Sequence, residues 1–76
     1  MVVKISDLIA SIKRTKLQVD VENLDHDKTF QDQGIDSLDF ASILFNVEED
    51  FDTQIPEEDL NRVRTINELF EYLKNK

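Results

Sequence analysis

One serine in the sequence stands where its hydroxyl could accept a covalent group. Ser37 directly follows Asp36, and an apolar pattern typical of a helix begins immediately after this pair. Asp36 is a good N-cap residue, so we expect Ser37 at the first helical position with its side chain outward. A phosphodiester on Ser37 would be favoured there, because helix N-termini attract anions. On this local pattern alone, Ser37 could equally be a plain capping residue.

A long segment leads to this serine. Residues 17–35 show no clear periodicity, and a loop of this length in a chain of 76 residues is uncommon and often functional. Gly34 is the only glycine in the sequence and permits a backbone with positive φ just before the helix. We expect the loop to be anchored to the core by apolar side chains: Val19, Val21, Leu24, Phe30 and Ile35.

Four helices are predicted around the loop. The first covers about residues 3–15, and the second begins near Asp36. A short third helix has Pro56 in its first turn, and Thr65 with Glu68 forms a capping box for the fourth. The first and fourth helices carry apolar stripes at i, i+3, i+4 and i+7: Ile5, Leu8, Ile9 and Ile12, then Ile66, Leu69, Phe70 and Leu73. The sequence therefore predicts an all-α, small four-helix bundle that forms one domain over residues 1–76.

The second helix has two apolar stripes. Its core stripe consists of Phe40, Ile43, Leu44, Val47 and Phe51. At about 100° per residue, Leu38, Ala41 and Phe45 fall on roughly the opposite side. Because a helix in a small bundle normally buries one stripe, we expect the second to face solvent and to contact partners. The alternative is that the loop 17–35 folds over it.

Charge and composition exclude several classes of function. Seventeen acidic side chains against nine Lys and Arg give a net charge of −8, which argues against nucleic acid and anionic membranes and favours basic protein partners. The chain has no cysteine, no apolar run near the ~20 residues of a membrane span, and no secretory signal at its N-terminus. We therefore expect a cytoplasmic monomer that does not insert into membranes.

The acidic residues are concentrated in the middle of the sequence. Residues 29–61 contain ten acids and no Lys or Arg: Asp32, Asp36, Asp39, Glu48, Glu49, Asp50, Asp52, Glu57, Glu58 and Asp59. A solvated face that maintains solubility would explain this run without any partner. The second apolar stripe lies beside Glu48 and Glu49, however, and together they favour a docking surface.

Several segments together resemble the acyl carrier proteins. The run from Gly34 to Asp39 is similar to the GxDSLD signature of that family, and the run from Glu48 to Pro56 resembles its EExFxxxIP segment. Thr29 with Phe30 resembles the entry to the loop before the serine, and residues 65–73 resemble the closing helix. The resemblance covers nearly the whole chain, in order and with suitable spacing.

The resemblance implies a role for particular residues. Ser37 would receive 4′-phosphopantetheine from coenzyme A through a separate phosphopantetheinyl transferase, with Asp36 in support. The thiol of the arm would carry acyl intermediates as thioesters and deliver them to loading ligases or synthases with basic docking surfaces, in fatty acid, polyketide or related biosynthesis. The family uses the matching positions for apolar and acidic partner contact, which here hold Leu38, Ala41 and Phe45, then Asp39, Glu48 and Glu49.

Some positions depart from the pattern of fatty acid carriers. Ser42 stands where an acid is usual, Phe40 replaces a smaller residue, Phe45 replaces a typical Met, and Gln33 replaces a common Leu. The segment between Phe30 and Ser37 is also one residue shorter. These departures favour a specialised carrier, and an aminoacyl or peptidyl carrier is an alternative.

Three other functions are alternatives to the carrier. The residues that alternate vaguely as in a calcium loop are Asp25, Asp27, Thr29 and Gln31. Phe30 stands where that loop needs glycine and Asp36 where it needs glutamate, so we expect no dedicated metal site. Catalysis by the chain itself is disfavoured, because His26 is its only histidine and no base other than a carboxylate lies near Ser37 in the sequence. An unmodified acidic helical adaptor that binds basic proteins is the remaining alternative.

Overall fold

The computed structural model describes residues 3–75, and this part of the chain is all-α. It contains α1 (Ile5–Arg14), α2 (Ser37–Asp50), a short 3₁₀ helix (Glu57–Arg62) and α3 (Ile66–Lys74). Single 3₁₀ turns cover Val21–Asn23 and Gln31–Gln33 in the loop between α1 and α2. The predicted bundle of three longer helices, one short helix and a long first loop is confirmed.

The first helix is shorter than predicted and its stripe is only partly buried. It begins at Ile5 instead of residue 3, because Lys4 has an extended backbone with φ −110° and ψ 144°. Leu8 and Ile12 are fully buried, whereas Ile5 keeps 37% exposure. Ile5 lies in the terminal turn of the helix, where less of the bundle can cover a side chain.

The hydrophobic core draws on the helices and on the loops that join them. α1 packs against α2, and α3 packs against the short 3₁₀ helix. The buried apolar side chains are Leu8, Ile12, Val21, Leu24, Phe30, Ile35, Ile43, Leu44, Val47, Phe51, Ile55, Val63, Ile66, Leu69 and Leu73. The core face predicted for the second helix is therefore correct except at Phe40, which is half-buried.

The long loop between α1 and α2 is attached to the core and to the start of α3. As predicted, its apolar side chains enter the core or, at Val19, pack against it. Its backbone is also tied to the start of α3, since the N–H of Phe30 donates to Arg64 O at 3.0 Å and that of Asn67 donates to His26 O at 3.1 Å. The loop therefore leaves the outer face of α2 uncovered.

An ion pair joins α1 to the first turn of this loop. Lys13 Nζ lies 2.8 Å from Glu22 Oε1. The hydrogen bond from Lys13, and then its charge, hold the pKa of Glu22 below its ordinary value. Both side chains are exposed, so the pair contributes little to the stability of the fold.

The caps of the last two helices differ in detail from the prediction. Pro56 precedes the short helix as its N-cap, since its ψ of 152° lies outside the helical region. Thr65 Oγ1 accepts the N–H of Glu68 at 3.0 Å, as a capping box requires. Glu68 Oε1 accepts the N–H of Arg64 at 3.0 Å, one residue earlier than in the standard box. None of the helices between residues 3 and 75 is long and apolar enough to cross a bilayer.

Candidate functional site

The hydroxyl of Ser37 is displayed at the first residue of α2. Asp36 has an extended backbone, and its Oδ1 accepts the N–H of Asp39 at 2.8 Å, so Asp36 is the N-cap that sequence reasoning predicts. This cap fixes where the helix begins. Ser37 is exposed, and within residues 3–75 its hydroxyl makes no hydrogen bond to another side chain. A second protein can therefore reach this oxygen.

The backbone turns sharply just before the serine. Gly34 has φ of +88°, in the left-handed region where L side chains are strained, so the expectation for this glycine is confirmed. The N–H of Ile35 donates to Phe30 O at 3.1 Å, which closes the turn. This geometry sets the direction in which the chain enters α2.

Gln33 holds the same loop together through its side-chain amide. Its Oε1 accepts the N–H of Asp25 at 2.6 Å, and its Nε2 donates to Asp25 O at 2.8 Å and Lys28 O at 3.1 Å. In the sequence, Gln33 stands out only as a departure from the family pattern. No local signal reveals this role, because the partners lie five and eight residues earlier in an irregular segment.

A groove of about 700 Å³ runs beside Ser37, between the loop and the short 3₁₀ helix. Its apolar lining comes from Phe30, Ile35, Phe40 and Leu60. The rings of Phe30 and Phe40 lie 5.4 Å apart between centroids, with planes tilted by 38°. Phe40 is thus half-buried because it forms one wall of this groove.

The outer face of α2 exposes the predicted second stripe. Leu38 is 79% exposed and Phe45 is 60% exposed, and Ala41 between them is also exposed. Ile43, Leu44 and Val47 on the other side of the helix are buried. The structure therefore excludes the alternative in which the loop covers this stripe. We call these three residues the exposed stripe.

Comparison with known proteins assigns the family. The sequence model described as "Phosphopantetheine attachment site" matches residues 7–73. An acyl carrier protein of Syntrophobacter fumaroxidans is 42% identical over 78 aligned residues, which cover all of this chain and 91% of the relative. The chain belongs to the acyl carrier protein family. No solved structure matches the chain significantly.

Family membership decides the general class of function. Acyl carrier proteins are carriers and not enzymes, and their prosthetic group is phosphopantetheine. The carrier therefore works with enzymes that modify and load it. The site fits this prosthetic group: a serine hydroxyl is accessible at the start of a helix, and a groove with an apolar lining lies beside it. The arm supplies a terminal thiol to which cargo binds as a thioester.

Several acidic residues of this carrier are engaged within the protein, among them three at the C-terminal end of α2. Glu48 is half-buried, and its Oε2 accepts the N–H of Ile55 at 2.7 Å. Arg14 Nη2 lies 3.1 Å from Asp50 Oδ1 and 3.7 Å from Glu49 Oε1. Glu49 stays exposed. Part of the acidic run is thus paired with an arginine of α1. The sequence pattern of residues 29–61 does not reveal this pairing.

The carboxylates of Asp25 and Asp27, which alternate as in a calcium loop, contribute to the fold of the carrier. Asp25 Oδ1 accepts the N–H of Asp27 at 2.8 Å, and Asp27 Oδ1 accepts a hydrogen bond from the side chain of Asn67. Within residues 3–75, no three Asp, Glu or His side chains form a group that could hold a metal ion. These acids therefore stabilise a turn and attach it to α3.

Proposed function

We propose that Ser37 is the residue that carries 4′-phosphopantetheine. A transferase would catalyse attack of Ser37 Oγ on the phosphorus of coenzyme A that bears the pantetheine. One P–O bond to the serine forms, the P–O–P bridge of the pyrophosphate breaks, and adenosine 3′,5′-bisphosphate leaves. The proton of the hydroxyl passes to a base of the transferase, because no side chain of the carrier in the described region is hydrogen-bonded to it. The arm then holds an acyl group as a thioester.

One observation carries this proposal more than any other. Ser37 is exposed at the first position of α2, directly after the side-chain cap of Asp36. Asp36 supports the modification by fixing the start of the helix. Ser42 is also an exposed serine of α2, but its hydroxyl donates to Leu38 O at 3.2 Å and lies more than a turn away from the groove entrance.

Mass spectrometry tests the attachment site. The protein is incubated with coenzyme A and a broad-specificity phosphopantetheinyl transferase, with a known carrier protein in the same tube. We expect the mass of one phosphopantetheinyl group to be added to the wild type and to Ser42→Ala, but not to Ser37→Ala. Modification of the known carrier alone would refute the carrier function of this chain, and a labelled Ser37→Ala would refute the site.

We propose that partner enzymes dock on the exposed stripe and its neighbouring carboxylates. The stripe offers apolar contact area through Leu38, Ala41 and Phe45, and Asp39, Glu48 and Glu49 add negative charge beside it. Basic surfaces on a transferase, ligase or synthase would complement this face and be steered to it. The salt dependence of binding distinguishes this mode from purely apolar docking.

We further propose that the chain is one carrier domain, a monomer and cytoplasmic, and that its cargo consists of acyl intermediates of fatty acid, polyketide or related biosynthesis. The support is the compact arrangement of residues 3–75 around one core and the acidic sequence. Loading assays with purified acyl and aminoacyl ligases would separate an acyl carrier from an aminoacyl carrier. Sedimentation at increasing concentration tests the monomer.

A further inference from the structure

The groove beside Ser37 contains a single cation among its lining residues. Of the residues that line it in the described part of the chain, the charged ones are Asp36 and Arg64. The carboxylate of Asp36 is engaged as the cap of α2. The chain has a net charge of −8, so Arg64 places a positive charge at this groove in an otherwise acidic protein. An anion bound in this groove would therefore lie near a positive charge.

Arg64 has a fixed backbone and an unpaired head group. Its N–H donates to Glu68 Oε1 at 3.0 Å, and its carbonyl oxygen accepts the N–H of Phe30 at 3.0 Å. Between residues 3 and 75, its guanidinium makes no hydrogen bond or ion pair. By contrast, Arg14 pairs with Asp50 at 3.1 Å, and Arg62 pairs with Asp59 at 3.8 Å.

The proposed modification would supply the anion. A phosphodiester on Ser37 Oγ would carry a permanent negative charge, and Ser37 lines the same groove as Arg64. Guanidinium binds phosphate oxygens in a planar, two-pronged geometry that an ammonium group does not match. The backbone of Arg64 is held beside Phe30 by a hydrogen bond. This restricts the region that its guanidinium group can reach.

We infer that Arg64 binds the phosphodiester of the arm and thereby directs the first part of the arm along the groove, away from the exposed stripe. This inference rests on the proposed modification of Ser37. It makes Arg64 a binding residue for the prosthetic group, and it leaves the outer face of α2 free for docking partners while the arm is attached.

Nuclear magnetic resonance of the arginine side chains tests the contact directly. The ¹H–¹⁵N signal of the Arg64 Nε–H group is compared between the unmodified protein and the protein with its arm. We expect this signal to move on modification, and the movement to shrink between roughly 0.01 and 1 M salt. The matched control is the Nε–H signal of Arg62, which lies on another groove with Tyr72 and should stay in place.

Thermal unfolding of two variants provides a second readout. The difference in Tm between modified and unmodified protein is measured for wild type, Arg64→Gln and Arg62→Gln. Loss of the contact should lower this difference by roughly 1 to 5 °C in Arg64→Gln, as for a partly exposed ion pair in a small domain. In Arg62→Gln the difference should equal that of the wild type.

The outcomes separate this inference from the proposed function. Should Ser37 accept no arm, the proposed function fails and this inference falls with it. Should Ser37 be modified while the Arg64 signal and the Tm difference stay unchanged, only the contact with Arg64 is refuted. Equal responses of Arg64 and Arg62 would also refute it, because they would indicate a general effect of added charge.

Discussion

Glu48 Oε2 accepts the backbone N–H of Ile55 at 2.7 Å, so one carboxylate of α2 closes the segment that leads to the short 3₁₀ helix. The carbonyl oxygen of Glu48 also accepts the N–H of Thr53 at 3.0 Å, across Asp52 in the left-handed region with φ of +50°. The bond from Thr53 is part of the C-terminal cap of α2, and the bond from Ile55 holds the chain just beyond that cap. Glu48 is therefore a structural residue as well as a candidate docking residue.

Replacement of Glu48 should reveal its structural role. We expect Glu48→Ala to lower the free energy of unfolding by about 1–3 kcal/mol, because the N–H of Ile55 loses its acceptor. Glu48→Gln retains an oxygen and should cost less than about 1 kcal/mol. Urea unfolding measures both. The control is Glu49→Ala, which should stay within about 0.5 kcal/mol; an equal loss in this control would contradict the role of Glu48.

Charge reversal on the acidic face is best tested at Glu49. Glu49 is exposed and only 3.7 Å from Arg14, so Glu49→Lys changes the surface charge without removing a backbone contact. We expect weaker binding to a basic partner and a shallower dependence of affinity on salt. Calorimetric titration at low and high salt measures both quantities. Unchanged affinity at low salt would argue against docking through this face.

Phe45 of α2 and Phe51, the C-cap residue of that helix, should respond differently to truncation. Phe45→Ala should reduce partner binding but lower the free energy of unfolding by less than about 1 kcal/mol, because its ring is 60% exposed. Phe51→Ala should cost about 3–5 kcal/mol, because that ring is buried. Thermal and urea unfolding compare the two. A large loss of stability in Phe45→Ala would contradict the exposure of the stripe.

Ser11 offers a way to stabilise the carrier. Its side chain is buried in α1, and within residues 3–75 its hydroxyl has no hydrogen-bond partner. Ser11→Ala should raise the free energy of unfolding by about 1 kcal/mol, since it removes an unsatisfied polar group and improves helix propensity. Urea unfolding measures the gain. Ser6→Ala, an exposed change in the same helix, should stay within about 0.5 kcal/mol, and a loss of stability in Ser11→Ala would show a missed partner.

The sequence by itself determined the helical periodicity, the cap at Asp36, the left-handed turn at Gly34 and the presence of a second apolar stripe on α2. Each of these depends on residues within about two helical turns of one another, where backbone geometry and side-chain spacing leave few alternatives. The position of Ser37 follows from the same local rules. Its family resemblance added the chemistry that the local rules left open.

Only the tertiary structure decided which charged and polar groups have a hydrogen-bond or ion-pair partner within the protein. The amide of Gln33 holds an irregular loop together, and Glu48 accepts the backbone N–H of Ile55. Arg14 of α1 pairs with Asp50 of α2, and the hydroxyl of Ser11 has no hydrogen-bond partner in the described part of the chain. Most of these contacts join residues that are distant along the chain or lie in segments without periodicity. Their formation depends on how the helices pack, and no local pattern encodes it.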